Sequence, residues 1–62
     1  MQVFIVVEED SIGARASKVY CSKVQCEDYI KETFPDLRYL TEDAWRAGSV
    51  IISIQTADLD VN

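Results

Sequence analysis

The stretch SKVQCEDYIKETFP, residues 22–35, decides the fold because it carries the start and stop signals of a helix. Ser22 is a favoured N-cap residue, and Gln25 three positions later completes a capping box. Pro35 ends the helix, since the residue before a proline is pushed out of the helical region. The sequence therefore predicts the main helix of the chain over residues 22–34.

This predicted helix is amphipathic, but its inner face is narrow. The face is formed at helical spacing by Cys26, Tyr29, Ile30 and Thr33. Glu27 and Asp28 lie early, near the positive end of the helix dipole, and Glu27 can pair with Lys31 one turn later. Because so narrow a face cannot stabilise an isolated helix, we expect the helix to lie on a sheet.

Two runs rich in β-branched residues predict the longest strands, QVFIVVE at residues 2–8 and SVIISIQT at residues 49–56. The first is apolar on both faces, which is typical of a central strand. In the second, alternation places Val50, Ile52 and Ile54 on the inner face and Ile51 on the outer face.

A further strand is predicted over residues 14–21, joined to the first by an exposed turn at residues 8–13. Alternation in this strand points one set of side chains inward, namely Ser17, Val19 and Cys21, and another outward, namely Lys18 and Tyr20.

The remaining segments give weaker patterns. Residues 36–40 predict a short strand or extended segment, and residues 57–62 a polar tail that frays. Residues 41–48 predict one or two helical turns, with Thr41 as cap and Gly48 in the left-handed ending conformation. A loop that wraps Trp45 over the edge of the core is the alternative.

These elements predict one α+β domain spanning residues 1–62, in the order strand, strand, helix, short segment, strand. We expect a three- or four-stranded, mostly antiparallel sheet with the helix on one face. The other face is predicted to carry Phe4, Val6 and Ile51, either as a partner surface or covered by Trp45.

Length and charge limit the function. A chain of 62 residues has little room for a deep pocket of about 300 Å³ or more, which disfavours a small-molecule enzyme. Eleven acidic against six basic residues give a net charge of −5, so we expect a protein partner with a basic surface and no direct nucleic-acid binding. The apolar run at residues 3–7 is too short for a signal core or a membrane span, which indicates a cytoplasmic protein.

The cysteines predict packing rather than chemistry. Cys21 precedes the N-cap and Cys26 is the fourth helical residue, the two positions of a hydrophobic staple. A disulfide between them is the alternative, although it would close a very short loop in a reducing compartment. With no histidine and no third cysteine, we predict no catalytic residue, no metal site and no cofactor.

With no catalytic or metal site predicted, the surface is the remaining candidate for function. Acidic side chains on the predicted hairpin and helix could form one anionic field that competes with a phosphate backbone for a basic channel. The predicted contact residues are Glu8, Glu9, Asp10, Glu27, Asp28 and Glu32, with Tyr39 and Trp45 as aromatic anchors. Core packing is the other interpretation of Trp45.

The opening strand, the acidic EED loop, and VYCSK leading into EDYIK at residues 19–31 resemble small accessory proteins of bacteriophages. In element order and acidity the chain is also similar to the T7-phage inhibitor of host RNA polymerase, although no diagnostic residues match. These resemblances imply a phage-encoded, non-enzymatic protein of the host bacterial cytoplasm. Such a protein would bind a host protein or protein complex and inhibit it, as anti-CRISPR and other anti-defence proteins do. A structural homodimer, or a subunit of a larger complex, is the alternative function.

Overall fold

The helix lies where the sequence places it. In the computed structural model, which describes residues 1–60, α1 spans Lys23–Thr33, with Ser22 at the N-cap and Phe34 at the C-cap. Phe34 has extended backbone angles, as expected before Pro35, and its amide donates to the Ile30 carbonyl at 2.9 Å. The predicted capping box is wrong, because the Ser22 side chain makes no capping hydrogen bond.

Within residues 1–60, five strands form a single antiparallel sheet, which confirms the α+β class but corrects the predicted count of three or four. They are β1 (Gln2–Glu9), β2 (Ala14–Tyr20), β3 (Arg38–Thr41), β4 (Ala44–Ala47) and β5 (Val50–Asp58). Their order across the sheet is β2-β1-β5-β4-β3. The doubly apolar strand β1 is interior, as predicted, and pairs with both β2 and β5.

The prediction of helical turns, or alternatively a loop, over residues 41–48 is wrong, because this segment completes the β3–β4 hairpin. Trp45 pairs with Ile52 of β5 and with Tyr39 of β3, so ladder formation outweighs the local capping signals. Gly48 has the predicted left-handed conformation, with φ +63°, but in the two-residue turn between β4 and β5. Glycine suits that first turn position because it tolerates positive φ without steric cost.

The core lies between α1 and one face of the sheet. Its buried side chains are Val6, Cys26, Ile30, Ile52 and Ile54. The predicted inner face of β5 is confirmed, with Val50 packed against this cluster. The prediction that Phe4 and Val6 lie on the other face is wrong: both contribute to the core, and only Ile51 lies where expected. Burying each large aliphatic side chain stabilises the fold by about 1.5–3 kcal/mol.

Strand β2 faces the opposite way from the prediction. Tyr20 pairs with Phe4 and packs on the core, whereas Val19 is 56% exposed on the far face. Ser17 is an extra residue without a register partner in β1, although its hydroxyl donates to the Val6 carbonyl at 3.4 Å, and such a bulge interrupts the alternation. The Tyr20 ring lies 6.2 Å from that of Tyr29 on α1, and burial of this large side chain fixes the orientation of the strand.

The start of α1 and the end of β5 also differ from the prediction. Cys21 is exposed while Cys26 is buried, so the two do not form the predicted staple. Ala57 and Asp58 belong to β5 rather than to a frayed tail, and the Leu59 amide donates to the Met1 carbonyl at 2.7 Å. Val61 and Asn62 lie outside the described residues. Across residues 1–60, no helix is long and apolar enough to cross a membrane.

Candidate functional site

Asp10 organises the β1–β2 loop. Its Oδ1 accepts hydrogen bonds from the amides of Ile12, at 2.9 Å, and Gly13, at 3.2 Å. The Asp10 amide in turn donates to the Gly13 carbonyl at 3.0 Å. These two amides lower the pKa of Asp10, because they stabilise the carboxylate form. One carboxylate oxygen of this predicted contact residue is therefore occupied by the loop itself.

Glu8 and Glu9 lie on opposite faces of the sheet, because successive strand residues alternate. Glu8 lies on the helix side, where its side chain is only 16% exposed and its carboxylate is 3.8 Å from the guanidinium of Arg15. Glu9 is exposed on the other side, beside Ile51. The acidic triplet therefore does not present three carboxylates to one partner surface.

The helix acids form a separate surface. Asp28 and Glu32 are exposed one turn apart on α1, and Glu27 beside them is half-buried. The predicted pair between Glu27 and Lys31 is not among the ion pairs of the described residues. Since α1 covers the face opposite to Glu9, the six predicted acidic contact residues do not share one face of the molecule.

A second group of acids holds the start of the helix. The Lys23 ammonium pairs with Asp43 at 2.5 Å and lies 4.0 Å from Glu42, so α1 is tied to the β3–β4 turn. The hydrogen bond to Asp43 raises the pKa of Lys23. Sequence reasoning missed this contact, because it assigned both acids to the first turn of a helix that does not form.

The two predicted aromatic anchors have different environments. Trp45 is half-buried and packs against the core, which confirms the core-packing interpretation of this side chain. Tyr39 is its partner across the β3–β4 ladder, but 71% of Tyr39 is exposed on the outermost strand. Of the two, Tyr39 offers the ring that a partner can reach.

Sequence reasoning also missed an apolar side chain at the tip of the β1–β2 hairpin. Ile12 is 95% exposed there and lies beside an open hollow of about 320 Å³. The hollow is lined by the loop, by Glu8 and Arg15, and by Val50. The sequence did contain a signal for this exposed side chain, namely an isoleucine within a run of acidic and small residues. Such a run is typical of a loop tip, where an apolar side chain has nothing to pack against.

The chemistry available to the buried thiol is limited. Cys26 lies wholly within the core, where its Sγ donates to the Phe4 carbonyl at 3.6 Å. Burial raises the pKa of the Cys26 thiol, and the neighbouring Glu27 carboxylate adds to the effect. Within residues 1–60, no group of three or more cysteine, aspartate or glutamate side chains is placed to hold a metal ion.

No protein family, curated protein or solved structure matches the chain significantly.

Proposed function

We propose that this chain is a small acidic binding protein that acts without catalysis on a protein partner with a basic surface. In this proposal it is a phage-encoded inhibitor in the host cytoplasm. It would occupy the phosphate-binding surface of a nucleic-acid-handling or defence protein, such as an RNA polymerase or a CRISPR nuclease. The observation that supports the proposal best is the exposed acidic surface of α1, formed by Asp28 and Glu32.

The helix surface suits such a role because its position is fixed while its charges are free. Cys26 and Ile30 anchor the inner side of α1 in the core, and Lys23 ties its start to the β3–β4 turn. Asp28 and Glu32 form no ion pair with any described residue, so their charge is available to a partner. Two carboxylates one turn apart on a fixed helix attract a basic groove without the backbone first having to be ordered.

The net charge of −5 supports the same choice of partner. An excess of acidic side chains repels nucleic acid but accelerates the approach of a basic protein surface, and salt weakens that attraction. Competition with nucleic acid for one groove is therefore the expected mode of inhibition.

The experiment is affinity capture from a bacterial lysate at low and at high salt, followed by identification of the retained proteins. We expect a nucleic-acid-handling protein to be retained at low salt and released by high salt or by heparin, which mimics a phosphate backbone. The double variant Asp28→Asn/Glu32→Gln should lose this capture. The matched control Asp58→Asn/Asp60→Asn removes the same two charges outside the helix and should retain it. If the wild-type protein retains nothing at low salt, the proposal is wrong.

A further inference from the structure

The face of the sheet turned away from α1 is here called the open face, and among its apolar side chains within residues 1–60 only Val3, at 6% exposed, is buried. Four cross-strand rows of paired residues make it up. They are Val3–Ala57, Val19–Ile5–Gln55, Ala16–Val7–Ser53–Ala44–Thr41 and Ala14–Glu9–Ile51–Arg46–Arg38. All five strands contribute to the open face, so it spans the full width of the sheet.

The open face is apolar over its middle. Ile5 and Val7 of β1 are half-buried among their neighbours, while Val19 is 56% and Ile51 38% exposed. Most of the surrounding side chains are small, including Ala14, Ala16, Ala44 and Ala57. Apart from Ser53 and Gln55 of β5, the centre of the open face carries small and apolar side chains, and such a surface is typical of an interface rather than of a solvated sheet.

The last row carries the charges of the open face in an ordered pattern. Ile51 lies at its centre, with Glu9 on one side and Arg46 followed by Arg38 on the other. None of these three charged residues forms an ion pair within residues 1–60. The Arg46 Nε donates to the Gly48 carbonyl at 3.1 Å, which orients the guanidinium. Like charges directly opposite each other, as in Arg38 and Arg46, are unfavourable unless an acid approaches them.

We propose that a second copy of this chain covers the open face. The two sheets pack face to face about a two-fold axis that lies over Ile51, parallel to β5. This rotation exchanges the positions of β1 and β4, so Glu9 of each copy faces Arg46 of the other. Ile51 then faces Ile51, and the small Ala14 faces Arg38. Sheets packed in this way lie about 10 Å apart, a gap that glutamate and arginine side chains bridge together.

The area that this arrangement covers is that of a weak dimer. The two-fold places twelve of the fifteen residues opposite the other copy, because β3 and β4 have no residues in the rows of Val3, Ile5 and Val19. At about 4.8 Å between strands and about 6.7 Å between same-face residues along a strand, these twelve cover roughly 400 Å² per copy. Two copies together bury roughly 800 Å², the size of a transient rather than a permanent interface. The dimer is therefore expected to dissociate on dilution, with the two Glu9–Arg46 pairs selecting its alignment.

The first test is sedimentation of the wild-type protein over a range of micromolar concentrations, beside two variants that introduce one lysine each. Ile51→Lys places two like charges on the two-fold axis and should abolish the dimer. Ile12→Lys changes an equally apolar side chain on the hairpin tip, outside the open face, and should leave the dimer intact. Circular dichroism of both variants checks that the monomer fold is retained.

The second test is a charge exchange. Glu9→Arg and Arg46→Glu should each weaken the dimer about tenfold or more, since each brings like charges together, and the double variant Glu9→Arg/Arg46→Glu should restore it. Within one chain, β5 separates the two residues by about 9.6 Å, so restoration of the dimer reports a contact between copies. A wild-type monomer at every concentration overturns the proposal and leaves the open face to a different partner. A dimer that survives Ile51→Lys, or a double variant no better than the single ones, overturns it as well. Neither test alters Asp28 or Glu32, so failure here is separate from failure of the proposed function.

Discussion

The two faces of the sheet are built from similar residues but end in opposite environments. On the helix side, Val6 and Ile52 are fully buried against α1. On the open face, Ile51 is 38% exposed and Val7 is half-buried, although both are immediate neighbours of those core residues in the chain. An apolar strand therefore does not determine which of its faces becomes core. The helix α1 does, because it can cover only one of them.

This difference also separates two kinds of apolar residue that the sequence alone cannot distinguish. Those beneath α1 stabilise the monomer, whereas the exposed ones on the open face, Val19 and Ile51, are free to contact a partner. Substituting adjacent residues on opposite faces is the direct way to test the distinction, provided that stability is measured at a concentration below that of association.

The largest effect is expected for the adjacent pair Ile52 and Ile51. Ile52→Ala should lower the free energy of unfolding by about 2–5 kcal/mol, because it leaves a cavity in the core. Ile51→Ala should change it by about 0.5 kcal/mol or less, as for other surface positions. Urea unfolding of dilute protein measures both. In a domain this small Ile52→Ala can prevent folding, so Ile52→Val, at about 0.5–1.5 kcal/mol, provides a graded second variant. Equal losses for the two alanine variants would show that the open face is also part of the monomer core.

The two thiols give the next contrast, in reactivity. Cys21 is exposed, whereas Cys26 is fully buried and has a raised pKa. An alkylating reagent should label Cys21 promptly and Cys26 at least about a hundredfold more slowly, because Cys26 reacts only when the core opens. Mass spectrometry of the labelled protein over time measures both rates, and Cys21→Ser isolates the slow one. Two thiols that react at similar rates would contradict the burial of the helix's inner side.

Strand β2 also has adjacent residues on opposite faces of the sheet, and the expected difference in their effect on stability is smaller. Tyr20 packs between Phe4 and Tyr29 on the helix side, while Val19 lies on the open face. Tyr20→Ala should cost about 2 kcal/mol of stability, since a half-buried ring loses part of the full aromatic contribution. Val19→Ala should cost a few tenths of a kcal/mol in dilute solution. A larger loss for Val19→Ala would mean that β2 is oriented the other way.

Features that depend on neighbouring residues were predictable from the sequence. The helix and its end at Pro35, the interior position of β1, and the inner face of β5 all follow from spacing and local propensity. Each is decided within a few residues, so the local pattern and the fold agree.

The errors arise where the pairing of one strand with another decides the structure. Residues 44–47 carry helix signals but gain a ladder with β5, a strand that follows them in the chain. One extra residue, Ser17, interrupts the alternation of β2, and the hydrophobicity of single positions does not reveal it. The acidic residues do not form one field because β1 continues through Glu9, so that alternation places Glu8 and Glu9 on opposite faces of the sheet rather than together in a turn. Arg38 and Arg46, adjacent only in space, gave no sequence signal at all.

The smallest expected effect concerns the loop between β1 and β2. This loop follows directly on β1, the strand whose alternate residues lie on the two faces of the sheet. The pKa of Asp10 is lowered by the amides of Ile12 and Gly13, so the carboxylate stabilises the folded form above the ordinary value of 3.8. That contribution is lost as the pH falls through the lower value of the folded state. The amide shifts of Ile12 and Gly13 in an NMR titration should therefore have a midpoint below 3.8, and Asp10→Asn should remove the transition. A midpoint at or above 3.8 would show that the loop does not hold the carboxylate. The hairpin tip that carries Ile12 would then lack the hydrogen bonds that fix its position.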